Sequence, residues 1–164
     1  MLSKKMEKAL NAHLNEELYS FYIYLSMSAY LDANYLKGMA SWMQQQAKEE
    51  MAHAMKFYSY IQERGNEVAL LSIAQPPKSW DGPLAVFENA YAHEQHITAR
   101  INALYDLAVK ESDHATAGFL QWFIKEQVEE EASVDPIVHR MKLVGDNIAA
   151  LYVLDRDLGM RAAH

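Results

Sequence analysis

The chain has 164 residues, 51% of them hydrophobic, and carries 22 acidic against 15 basic residues for a formal charge of −7. That length suits a single domain that buries most of its apolar surface, and an acidic balance without any basic cluster argues against a nucleic-acid partner and for small cations. The absence of cysteine excludes disulfides, zinc-thiolate sites, iron-sulfur clusters and thiol nucleophiles, so any metal must be held by oxygen and nitrogen.

The opening "MLSKKMEKAL" leads into polar residues, and no stretch approaches the ~20 apolar residues of a membrane span, so a soluble cytoplasmic protein is expected. Glycine and proline are few and gather at Gly38, Gly65, the Pro76 to Pro83 loop, Gly145 and Gly159. The segments between them are rich in strong helix formers. They predict an all-α chain in one domain over 1–164, with a four-helix bundle at about 4–143 and a short fifth helix at about 146–159.

Each long segment carries a stripe stepping by threes and fours, the spacing of one helical face. The first runs Leu10, Leu14, Glu17, Phe21, Tyr24, Ser28, Leu31 and stops near Asn34 and Tyr35. The second runs Met43, Gln46, Glu50, His53, Phe57, Tyr60. After "SIAQPPKSWDGP", Asp81 is the expected N-cap and Pro83 the early helical proline of the third, which runs Leu84, Phe87, Tyr91, Glu94, Thr98, Ile101, Tyr105, Ala108. Asp113 is the expected N-cap of the fourth, Leu120, Phe123, Gln127, Glu130, Val134, Ile137, Met141, in which Pro136 predicts a kink. In the fifth segment, "NIAALYVLDRDLGM", the apolar face of Ile148, Leu151 and Leu154 is too small to justify a helix alone. It must meet other copies or dock on its own bundle.

Short turns after the first and third helices force antiparallel hairpins, while the long second connection can cross the bundle. Glu17 lies 18 residues before Tyr35 (35−17) and Glu50 15 after it (50−35), while Glu94 lies 18 before Ser112 (112−94) and Glu130 18 after it (130−112). Four inward glutamates therefore converge near mid-bundle.

A lone glutamate on an apolar stripe is ordinarily a boundary residue whose stem snorkels to water. Four at one height, with a histidine and a glutamine, are a different matter. Buried carboxylates cost several kcal/mol each and repel one another, and no Lys or Arg lies on the stripes to balance them. One or two metal cations supply the missing charge. A glutamate from each of two helices with Glu-x-x-His, here Glu50 to His53, is the general pattern of di-metal helix bundles. Carboxylates with one imidazole suit iron, manganese or zinc, and iron best where the metal cycles between oxidation states. Tyr24, seven residues after Glu17, is either a packed core tyrosine or a neighbour of the metal.

The "EEMAH" box, the "PPKSWDGPL" crossover and the "FLQWFIKEQVEEEAS" stretch together make the chain resemble the prokaryotic non-haem ferritins over essentially its whole length. The resemblance implies that Glu17, Glu50 and His53 hold a first iron, and that Glu94, Glu130 and bridging Glu50 hold a second. Gln127 and Tyr24 would surround them. It further implies a third iron site at Glu49, Glu126, Glu129 and Glu130. The implied activity is oxidation of Fe(II) by O2 or H2O2 and storage of Fe(III) as mineral in a 24-subunit shell. The alternative within the same class is a bacterioferritin-like haem store. That family repeats Glu-x-x-His in its second half, whereas here Ser133 follows Glu130 by three, so no haem is expected despite Met51 beside Glu50. The alternative outside it is a structural, non-catalytic bundle. Ala117 and Leu120 supply no acidic ring of the kind that lines three-fold channels in animal ferritins.

Overall fold

A computed structural model describes residues 1–161, so the last three residues of the expected 1–164 domain lie outside the described residues. Five helices follow one another: α1 (Lys4–Ala33), α2 (Lys37–Glu63), α3 (Pro83–Lys110), α4 (His114–Val144) and α5 (Ile148–Leu158). Among the described residues there is no strand, and no helix is long and apolar enough to cross a membrane. α1 packs on α2, α3 on α4, and α1 on α3, while α5 lies against α2 and α4.

Local chemistry sets the helix ends. Ser3 Oγ accepts the Met6 N–H at 3.0 Å, Asp113 Oδ1 that of Thr116 at 3.1 Å and Asn147 Oδ1 that of Ala150 at 3.0 Å, each satisfying a backbone donor that a first turn leaves free. Asp81 does not cap α3. The N-cap is Gly82, at a φ of 104° that a residue with a Cβ resists, and Pro83 begins the helix with its φ already fixed. Pro136 lies inside α4 without ending it, flanked by the buried side chains of Val134, Ile137 and Val138.

Both hairpin turns hold a non-glycine residue in the left-handed region, Tyr35 at φ 62° and Ser112 at φ 56°. Such residues cost roughly 1–2 kcal/mol each. Ser112 is exposed, so Ser112→Gly removes that strain without removing a core contact. We expect it to stabilise the chain by about 0.5–1 kcal/mol, net of the glycine's extra freedom when unfolded, as a raised denaturation midpoint at unchanged slope.

The connection between α2 and α3 runs along α1. Asn11 bonds both ways to its first part, donating to Glu67 O at 3.0 Å and accepting the Ala69 N–H at 2.8 Å. Tyr30 donates to Trp80 O at 2.7 Å near its end. Those anchor residues are about 28 Å apart along the helix at 1.5 Å per residue, so the crossover traverses most of the bundle.

The apolar interior falls into two clusters, one at each end. The first includes Met27, Leu31, Met43, Phe87 and Met141, and the second Leu10, Phe57, Ile61, Ile101 and Phe123. α5 joins the first cluster through Leu154 and Leu158. Asp155 accepts the Met39 N–H at 2.8 Å, so a buried carboxylate caps the backbone of a neighbouring helix. The expected face of Ile148, Leu151 and Leu154 therefore splits. Leu154 docks on the chain's own bundle and Leu151 is half-buried, while Ile148, Tyr152 and Val153 face outward.

Candidate metal centre

Between the two apolar clusters lies a polar layer: Glu17 and Ser20 from α1, Gln46, Glu50 and His53 from α2, His93 and Glu94 from α3, and Gln127 and Glu130 from α4, all buried. Helical periodicity puts them inward and the equal hairpin arms put them level. Within the layer, ligand atoms of Glu17, Glu50 and His53 lie within 4.8 Å of one another, as do those of Glu50, Glu94 and Glu130. Glu50 belongs to both groups. The two groups share that carboxylate and offer adjacent sets of cation-ligand atoms.

Hydrogen bonds fix the ligand rotamers, the usual role of groups behind a metal site. Tyr24 donates to Glu94 Oε1, and Gln127 Nε2 donates to Glu94 Oε2 at 3.1 Å, so Glu94 is held from both sides. Gln46 Nε2 donates to Glu130 Oε2 and lies 3.4 Å from Glu50 Oε1. His53 points Nδ1 at Glu50 Oε2, 3.4 Å away, and at Glu17 Oε2, 3.9 Å away.

Three further residues were not expected at the site. His13 is buried beneath Glu17, its Nε2 donating to Glu17 Oε1 at 2.7 Å. It stands one helical turn before Glu17, and i, i+4 spacing was the signal that could have found it. Glu17 Oε2 is buried with no hydrogen-bond partner among the described residues other than the neighbouring Glu50 carboxyl, so a cation, or the proton that Glu50 holds, is what completes it. His93 Nε2 meets Ser20 Oγ at 2.7 Å beside Tyr24. Arg161 reaches Gln46 and Glu49 from beyond α5, where no local pattern announces it.

Charge accounts for the rest. Burial, then the charges of Glu130 and Glu17, push Glu50 well above the ordinary carboxylate value. Burial and the charge of Glu50 push Glu94 up to about 8, and burial with the charge of Glu94 does the same to Glu130. Burial also raises Glu17, but the His13 hydrogen bond and the His13 and His53 charges outweigh it and hold its carboxyl below the ordinary value. Burial and Glu94 together push the Tyr24 phenol well above its usual value.

The metal-free layer thus stores protons on carboxyls that a cation would claim. A carboxyl at about 8 is ~90% protonated at pH 7. Zn2+ binding at pH 7 is expected to release roughly two protons per chain or more, read as a buffer-dependent heat in calorimetry. Because the folded chain holds these protons and the unfolded chain loses them near pH 4.5, the stability that Glu94 and Glu130 contribute to the metal-free chain is full below that pH and is lost as pH rises through about 8. A metal-free melting temperature higher at pH 8 than at pH 5.5 would contradict this.

The remaining predicted carboxylates are only partly gathered. Glu49, Glu126 and Glu129 line a cavity of about 510 Å³ with His53 and Glu130. Glu126 joins His53 and Glu130 in a third group within 4.8 Å. Glu129 is exposed and lies 3.8 Å from Lys125, and Glu49 is engaged by Arg161.

The ferritin-like domain family model matches residues 7–144. A bacterial non-haem ferritin of Bacteroides fragilis is 41% identical over 161 residues, covering 98% of this chain and 100% of that one. One from Staphylococcus saprophyticus is 40% identical over 162 residues, covering 99% and 97%. Among solved structures, a closed form of the Archaeoglobus fulgidus ferritin made by site-directed mutagenesis superimposes with a TM-score of 0.98 at 48% identity, covering 100% of both chains. The open-pore ferritin of that archaeon gives 0.97 at 48%, covering 99% of each. With its helix order, its crossover and the full length of these matches in agreement, the chain belongs to the ferritin family of iron-storage proteins, among its prokaryotic non-haem members.

Proposed function

We propose that the chain oxidises ferrous iron at the mid-bundle centre, with O2 or H2O2 as acceptor, and delivers ferric iron to a mineral held in a cytoplasmic shell of 24 copies. The observation that carries this is the sharing of Glu50 between two groups of buried ligands. Glu17, His53 and Glu50 hold the first iron, and Glu50, Glu94 and Glu130 the second. Tyr24 and Gln127 keep Glu94 in place for it.

Hard anionic oxygens stabilise the ferric product more than the ferrous substrate, so the layer lowers the cost of removing an electron from each iron. Two ferrous ions give up two electrons, which with two protons reduce O2 to H2O2 or H2O2 to water. The protons come from the carboxyls that metal binding deprotonates and from solvent. Glu126 and Glu130, with Glu49 nearby, offer a third iron position toward the cavity, and exposed Glu129 adds negative potential there. No haem takes part: Ser133 stands where the haem-binding relatives repeat histidine, and its hydroxyl donates to Glu130 O at 2.8 Å.

The outward face of Ile148, Tyr152 and Val153 on α5 supports association of copies, and closed and open-pore forms of the archaeal relatives support a shell. Addition of ferrous iron with oxygen or peroxide, followed by near-ultraviolet absorbance, tests the chemistry. A fast phase saturating at two irons per chain is expected. Oxidation no faster than in buffer would overturn the assignment, and sedimentation of the assembled protein at a mass other than 24 copies would overturn the shell.

A further inference from the structure

Arg161 follows α5 and folds back over α2. Its Nη1 donates to Gln46 Oε1 at 2.9 Å and its Nη2 to Glu49 Oε2 at 2.8 Å. The guanidinium carbon sits 4.6 Å from the centre of the Trp42 ring, and the side chain is only 16% exposed. A guanidinium is permanently charged, and its planar fork suits two oxygens at once. By donating to Gln46 Oε1 it also fixes which way that amide points, leaving Nε2 to Glu130 and Glu50.

The cavity that Arg161 borders also receives the buried imidazole of His53. His53 Nε2 has no hydrogen bond there among the described residues, its nearest carboxylate oxygen being on Glu126 at 3.9 Å. A cation has ligands waiting on this side, but one of the carboxylates beside it is already taken.

We propose that Arg161 is a tethered counter-cation of the inner carboxylates: it holds Glu49 in the metal-free chain, and a metal ion entering beside Glu126 and Glu130 gains Glu49 only by displacing it. This rests on the reading that the cavity carboxylates take iron. The competition makes the third position weaker than the two in the layer, and so able to hand its ion on. Arg161 is a positioning residue here, touching neither of the first two ions.

Zn2+ titrations of the assembled protein test the proposal without oxidation chemistry. The binding step of interest is the one that Glu49→Gln removes. In Arg161→Gln that step is expected to tighten about tenfold, because the ion no longer competes with a charge-assisted hydrogen bond. Arg161→Lys, which loses the fork but keeps the positive charge, is expected to tighten it about threefold. A purely structural arginine predicts the opposite sign, since its loss would disorder Glu49 and weaken binding. An unchanged or weakened step in both variants overturns the proposal, as does the absence of any Glu49-dependent step in the native protein. Failure of the two tighter ions to bind at all would instead defeat the di-iron reading.

Discussion

Replacing Glu50 by glutamine is expected to slow the initial oxidation of ferrous iron by about 100-fold or more and to stabilise the metal-free fold. The two effects have one cause. Glu50 is the residue common to both ligand groups, and an amide of the same shape cannot bridge two cations. The same carboxylate is buried against Glu130 and Glu17, which is why its proton is held so tightly. A permanently neutral amide spares folding the uptake of that proton, worth about 1–2 kcal/mol at pH 8. The test pairs stopped-flow absorbance with thermal melts of metal-free protein at pH 8. A variant that keeps native oxidation rates sinks the site assignment, and one that loses both activity and stability shows a packing defect rather than a lost ligand. His53→Ala should share the loss of rate, since it removes the one imidazole in the groups that hold the pair.

The second large effect is expected far from the metals. Gly38 lies in the first turn of α2 with an ordinary helical backbone, so alanine there would normally favour the helix by up to about 1 kcal/mol. An added Cβ, however, would fall 1.7 Å from the carbonyl oxygen of Asp155. Neither backbone can yield without separating α5 from α2, which breaks the bond from Met39 N–H to Asp155 and withdraws Leu154 and Leu158 from the core. Gly38→Ala is therefore expected to cost about 3 kcal/mol or more and to expose α5 to hydrogen exchange. Sedimentation of the same variant reports whether the shell depends on that docking. Unchanged exchange across α5 would show that the helix accommodates the methyl group.

Much of the centre was legible because helical periodicity is strict. Glu17, Glu50, Glu94, Gln127 and Glu130 interrupt apolar stripes, and counting from Tyr35 and Ser112 places the four glutamates at nearly one height. Tyr24 was legible as an inward residue, but its bond to Glu94 depends on how α1 and α3 pack, which periodicity does not encode. His13 was missed because a histidine before a glutamate on a polar-looking segment resembles a surface pair, although it is buried. Arg161 was out of reach for a different reason: its partners on α2 are more than a hundred residues earlier in the chain. Asp81 misled because the preference for a side-chain cap ignores the φ at which the chain must enter the helix, and Gly82 met that need instead. The face of α5 was misassigned because its apolar residues serve two surfaces, and a single stripe cannot show a division of labour.

The separation of the apolar interior into two clusters has a bearing on inheritance as well as on folding. Each end of the bundle is packed by its own residues, and the ligands stand in the layer between them. Mutations in that layer can therefore erase the chemistry while leaving both anchors of the fold intact. A gene copy that has lost its ligands would still yield a chain with both apolar clusters packed. Under the proposed function, such a silent chain would keep the outward face of α5 and so the surface by which copies associate.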